Sequence, residues 1–186
     1  MAAPSQPGYP GRSDTEGGAA VETMPPGALL VPTDMSDASL LAAAYAADLA
    51  RRAGRRLVLL HVVSPKEIEE RVADGQYVDQ QLKEVHGRLH WWFTTFVPPT
   101  ARQGVNVETV VRVGHPEHEI LATARAIQGG TIVMPTHGRA GLQRTVLGSV
   151  AEAVLRHAPC PVLTIPPTAL QNSEHAGVVP AEREVV

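Results

Sequence analysis

The chain has 186 residues, enough for one domain with a filled core and too few for two comfortable ones. Its apolar content of 44% is ordinary for a globular protein, its formal net charge is −3, and its only lysines are Lys66 and Lys83, a balance without a nucleic-acid footprint. The lone Cys160 excludes an internal disulfide, the N-terminus lacks the basic start and apolar run of a secretory signal, and no apolar stretch approaches the roughly 20 residues a bilayer requires, so a cytoplasmic protein with no membrane or nucleic-acid partner is expected.

Residues 1–27 carry Pro4, Pro7, Pro10, Pro25 and Pro26 among small and polar residues without any period, which predicts a disordered tail. A first strand follows over Ala28 to Thr33. Ser36 then caps a helix in which Leu41, Tyr45 and Leu49 recur every four residues, Arg51 and Arg52 suit the negative C-terminal end, and Gly54 stops it. Arg56 to Val63 forms the second strand. A longer helical region runs from about Lys66 to Phe96 and ends near Pro98 and Pro99; its adjacent Trp91, Trp92 and Phe93 cannot all face one core, which leaves one for an exposed partner surface.

The third strand spans Asn106 to Val113. Beyond Gly114, a helix opens at Pro116, where a missing N–H costs nothing, carries Glu117 and Glu119 in its first turn, and ends at Gly129 and Gly130. His115 and His118 have a spacing that can bind metal, but no third ligand is evident nearby. Thr131 to Pro135 is the fourth strand. The fourth helix opens at Ser149, which forms a capping box with Glu152, and Pro159 and Pro161 prevent its continuation past His157. Val162 to Ile165 is the last strand, with Cys160 a small packing residue between two prolines. From about Thr168 a second disordered tail is expected; each tail nets −2 and the domain between them +1, which does not repel a phosphate. The strands are nearly continuous apolar runs, as strands covered on both faces require, so the alternation of elements argues for βαβ units around a parallel sheet.

The chemistry concentrates in the loop after the fourth strand. It reads Met134, Pro135, Thr136, His137 and Gly138, then nine residues, then Gly148, Ser149, Val150 and Ala151. Glycines let the main chain approach an anion without a Cβ in the way and adopt positive φ, and a helix N-terminus at Ser149 adds free N–H groups and a positive dipole end. Phosphates are therefore expected near Ser149 and Val150, where capping and phosphate binding are compatible roles. Arg139 and Arg144 either add attraction or are simply solvated. His137 reads as a loop donor rather than a general base, and Asp34 either closes an Asx-type turn before the first helix or touches the ligand.

The segment VMPTHGRAGLQRTVLGSVAEAVLRHAPCPVLTI resembles the C-terminal signature of universal stress proteins, whose ATP-binding branch carries Gly-x2-Gly-x9-Gly-Ser/Thr. Pro32, Thr33 and Asp34 after the first strand, His61 and Val62 in the second, and the Gly114-x-Pro116 turn also look like that family, so the resemblance covers about Ala28 to Pro166. It implies an α/β three-layer sandwich with a five-stranded parallel sheet in the order 3-2-1-4-5, Rossmann-like, with a ligand crevice where the order reverses between strands one and four. By resemblance Pro32, Thr33, Asp34 and Val62 line the adenine side, and Gly114 is counted among the nucleotide-binding residues. Met134 to Arg139 lie beside ribose and phosphates, and Gly148, Ser149, Val150 and Ala151 close the phosphate end. The first glycine of the family pattern is Pro135 here, so no N–H contact can come from that position.

The implied ligand is ATP with a Mg²⁺ carried by its phosphates. The implied role is a stress-response sensor or signalling module read by a protein partner, with a homodimer paired through Val162 to Ile165 at the sheet edge. A nucleotide-free dimeric interaction module and a weak ATP hydrolase are the alternatives. The sequence has no Gly-x-Ser-x-Gly elbow, no Gly-x4-Gly-Lys-Ser/Thr loop and no Cys-x2-Cys pair, and no residue is assigned a catalytic role.

Overall fold

Five apolar runs form the strands β1 (Leu29–Pro32), β2 (Leu57–Val63), β3 (Val107–Val113), β4 (Thr131–Pro135) and β5 (Val162–Ile165). The structure, a computed structural model, describes residues 27–73, 78–128, 130–136 and 147–166. Apart from Gly27, both expected tails lie outside them, as do the motif residues His137, Gly138 and Arg139, with Arg144. All pairings are parallel, as the alternation of elements leads one to expect, and the strand order is β3-β2-β1-β4-β5, as the family resemblance implies.

Alternation along each strand sorts the core into two layers. Leu29, Val31, Leu57, Leu59 and Val133 pack with α1 (Asp37–Ala53), α3 (Val78–Phe96) and the short α4 (Pro99–Arg102). Leu30, Val58, Leu60, Ile132 and Met134 pack on the other face with α5 (Pro116–Ala126) and α6 (Ser149–His157). Successive strand residues point to opposite faces, so a strand apolar throughout serves both layers.

Helix α1 is capped as its sequence predicts. Ser36 accepts from the Ser39 N–H, and Gly54 takes the left-handed conformation at φ 62°. Its buried face differs from the Leu41–Tyr45–Leu49 row, because Ala42, Ala43, Ala46, Ala47 and Ala50 line the sheet while Tyr45 is 54% exposed. Small side chains let this helix approach the strands closely, and the larger Leu41 and Leu49 pack at its flanks. Arg51 and Arg52 reach back to Asp48 at 2.7 and 2.6 Å.

Three boundaries depart from the sequence reading. The long helical region is two helices, α2 (Pro65–Ala73) and α3. Helix α5 ends at Ala126 rather than at the glycines, with Gln128 taking a left-handed φ of 49°. The capping box also lies elsewhere. At α6 the N-cap is Gly148, in extended conformation, which places Ser149 inside the helix, and Glu152 instead pairs with Arg156 at 2.7 Å. A capping residue must keep non-helical dihedrals to turn its hydroxyl onto the first-turn amides, and Ser149 does not. The reciprocal box is formed by Ser64 and Glu67 at the start of α2, with Ser64 N–H to Glu67 Oε2 at 2.9 Å and Glu67 N–H to Ser64 Oγ at 3.1 Å.

Of the three adjacent aromatics, Trp92 and Phe93 are buried, whereas Trp91 is 58% exposed and meets Phe96 edge to face at 5.4 Å. Cys160 is half-buried, and burial pushes its thiol up, away from the reactive thiolate. No helix among the described residues is long and apolar enough to cross a membrane.

Candidate functional site

The sheet splits where its winding reverses. From β1 the chain adds β2 and β3 on one side through helices of one layer, and β4 and β5 extend the sheet on the other side through α5 and α6 in the opposite layer. The β1–β4 pairing covers only Leu29↔Thr131 and Leu30↔Ile132, while β1–β2 runs on to Pro32↔Leu60 and β4–β5 to Pro135↔Ile165. Beyond Leu30↔Ile132 the β1–β4 ladder has no further rung, and the C-terminal ends of these two strands form the switch point at which a fold of this kind takes its ligand.

Direction along the ladders explains why two prolines are tolerated in inner strands. Leu29 and Thr33 donate to Arg56 and Leu60 on the β2 side, so Pro32 faces β4. Ile132 and Thr136 donate to Pro161 and Ile165 on the β5 side, so Pro135 faces β1. Amides of a strand point alternately to its two neighbours. Neither proline therefore breaks a rung with β2 or β5, and both missing N–H groups fall on the split.

The loop leaving β1 is held from several directions. Thr33 Oγ1 accepts from Met35 N–H at 2.9 Å, and Asp34 Oδ1 accepts from Ser36 N–H at 3.0 Å and from Ser39 Oγ at 2.5 Å. Asp34 thus closes the Asx turn. Met35 takes a left-handed φ of 59°, a conformation uncommon outside glycine, and this network fixes it. From β2, His61 Nδ1 meets the Thr33 carbonyl at 2.8 Å. Within the sequence His61 served only as part of a motif; its signal was a polar ring inside an otherwise apolar strand. Val62 packs toward the α5–α6 layer.

At the other rim, Gly148 N–H donates to Thr136 C=O at 2.7 Å and ties the start of α6 to the end of β4. The first intrahelical bond of α6 runs from Glu152 N–H to Gly148 C=O, so the amides of Ser149, Val150 and Ala151 precede the ladder. Ser149 is exposed, and Ala151 is buried against the sheet. Gly148 has φ −72°, open to any residue, so positive φ is not what calls for glycine there. Ser149 to Ala151 and Met134 to Thr136 are therefore brought together beside the split, with Pro32 to Asp34 across it. Gly114 is not; it ends β3, with β2 between it and β1, and donates its N–H to Val63 C=O at 3.0 Å. A Cβ at Gly114 would come within 2.7 Å of Glu119 Oε1. His115 and His118 stand edge to face at 5.9 Å, and among the described residues no group of three candidate ligands surrounds a metal position.

The sequence model described as "Universal stress protein family" matches residues 27–166. A universal stress protein of Methanocaldococcus jannaschii, MJ0531, is 32% identical over 147 residues, covering 74% of this chain and 80% of its own. The solved structure of MJ0577, from the same organism, superposes with a TM-score of 0.63 at 25% identity and covers 75% of this chain and 95% of its own. The universal stress protein UspA from Lactobacillus plantarum gives 0.56 at 28% identity, with 75% and 97% covered.

Proposed function

Because the chain belongs to the universal stress protein family, we propose that it binds an adenine nucleotide, ATP with Mg²⁺, in the crevice between β1 and β4, and acts as a stress-response sensor read by a protein partner. The observation that carries this reading is the start of α6. It stands at the end of β4, fastened by the Gly148–Thr136 bond, with three amides ahead of the helical ladder. Such a terminus suits anionic oxygens through its free donors and its positive dipole end.

The residues fit the group in question. Ser149, Val150 and Ala151 donate their N–H groups to phosphate oxygens, and the exposed Ser149 hydroxyl adds a donor. Met134, Pro135 and Thr136 form the floor at the end of β4, and His137, Gly138 and Arg139 complete the phosphate side by family resemblance. Pro32, Thr33, Asp34 and Val62 bound the base, with Gly114 contributing only at a distance. ATP supplies its own divalent cation, since Mg²⁺ binds mainly through phosphate oxygens. By the same resemblance these walls are expected to favour adenine over guanine.

Calorimetry on the full chain tests the reading. ATP with Mg²⁺ should bind more tightly than GTP, and Gly148→Val, which places a branched side chain beside the amides, should abolish binding while circular dichroism stays unchanged. Neither heat nor a thermal shift at millimolar ATP would sink it. Pro135 favours one alternative, a nucleotide-free dimeric module of the same fold, because it removes a donor from the crevice. That alternative predicts the blank titration.

A further inference from the structure

An open sheet ends in a strand on each side, here β3 and β5, and each such strand offers N–H and C=O groups to which a further strand can bond. Leu57 donates to Asn106 C=O, and Gly114 donates to Val63 C=O. Main-chain groups of a strand turn alternately to its two sides, so those of Asn106, Glu108, Val110 and Arg112 face β2. Those of Val107, Thr109, Val111 and Val113 face outward along the free edge. On β5 the outward residues are Val162 and Thr164, because Pro161 and Ile165 accept from β4. The β3 edge is therefore the longer of the two and the greater hazard for indiscriminate pairing.

A side chain already occupies that edge. His86, on α3, brings Nε2 to 2.9 Å from Thr109 C=O and 3.0 Å from Thr109 Oγ1. A carbonyl oxygen only accepts, so Nε2 carries the proton and donates it there. Helix α3 packs on the face of the sheet that bears Val107 and Val111, and from that face the imidazole reaches over the edge. We propose that His86 closes the β3 edge to strand pairing and so restricts sheet-to-sheet assembly with a second copy of this chain to β5. A partner strand needs consecutive outward residues, and Thr109 is the second of four. With its carbonyl taken and the ring in the way, Val107 stands alone on one side and Val111 with Val113 on the other, each remnant shorter than the usual strand of about five residues. Among the described residues no side chain bonds to an outward main-chain group of β5, so the two edges are unequal. Two open edges on one sheet would let copies add without end, whereas one gives a closed pair.

Light scattering on the full chain tests this in a Thr164→Pro background, which removes an outward β5 amide and leaves β3 as the edge to be read. Thr164→Pro alone should be monomeric at tens of micromolar, and adding His86→Ala should double its mass. Adding His86→Gln instead, whose side-chain amide keeps a donor at that place, should leave the mass unchanged. Hydrogen exchange locates the contact, since the outward amides of Val111 and Val113 should slow by about ten-fold or more when His86→Ala is added. A folded double variant of unchanged mass overturns the proposal, as does a dimer in which those amides exchange as fast as before. Assembly of the His86→Gln protein to the same extent overturns the role of the hydrogen bond. Should the double variant fail to fold, His86→Ala in the otherwise wild-type chain carries the test, because opening a second edge should raise the mass above that of the wild type, and an unchanged mass overturns the proposal. These comparisons hold whether or not the wild type pairs through β5.

Discussion

At the scale of residues, the side chains that shape this protein most are those that redirect backbone hydrogen bonds. Asp34 and Thr33 fold the exit of β1, and His61 grips the Thr33 carbonyl from the neighbouring strand, so the rim of the crevice is set before any ligand arrives. Charged pairs act more weakly and on the surface. The hydrogen bond from Arg51, with that from Arg52, holds the Asp48 carboxyl below the usual carboxylate range against a smaller opposing effect of burial. A lowered folded value means that this contribution is fully present above the unfolded value and is lost as pH falls through the folded one. Asp48→Asn should therefore cost under about 1 kcal/mol near neutrality, the discount reflecting its exposure. The difference from wild type should shrink as pH falls from about 5 toward 2. Urea titrations at several pH values check this; a difference that grows in acid contradicts the assignment.

Among the elements, α2 depends most on its cap. Its described residues are mainly exposed, and the Ser64–Glu67 box satisfies donors that nothing in the core replaces. Ser64→Ala should cost about 1 kcal/mol locally. Because an element with little buried surface opens without the rest, the loss should appear as faster amide exchange over Glu67 to Glu70 with little change in the global melting temperature. Unchanged exchange there would contradict it. Helix α1 is the opposite case, held by an alanine face packed on the sheet, with its ends fixed by Ser36 and Gly54. Helix α6 combines packing through Ala151 and Val154 with an N-cap, Gly148, that has no side chain to cap it.

For the whole molecule, β5 closes the sheet on one side, and we expect that edge to pair with a second copy about a two-fold axis. Pro161 and Ile165 present their carbonyls to β4, so Thr164 faces away from it, along the free edge. Thr164→Pro removes an outward amide without touching the β4 ladder. Light scattering at tens of micromolar should report a dimer for the wild type and a monomer for the variant; a monomeric wild type removes the assembly. Much of this was legible in the sequence, since apolar runs, prolines and glycines act locally and mark strands, helix starts and stops wherever they fall. The strand order followed from the motif that the chain resembles, and the structure bears it out. Local signals failed where two choices differed only in long-range packing. Ser149-x-x-Glu152 and Ser64-x-x-Glu67 read alike, and only the tether of Gly148 to Thr136 decided that the first would begin one residue too late to be a box. The facing of Pro32 and Pro135 was likewise invisible, because residues a hundred positions apart become neighbours only through a register that the assembled sheet determines. The sequence by itself determined which residues could lose an amide; the tertiary structure alone decided that both losses fall on one seam, since hydrogen-bond direction in a strand has meaning only once its neighbours are in place.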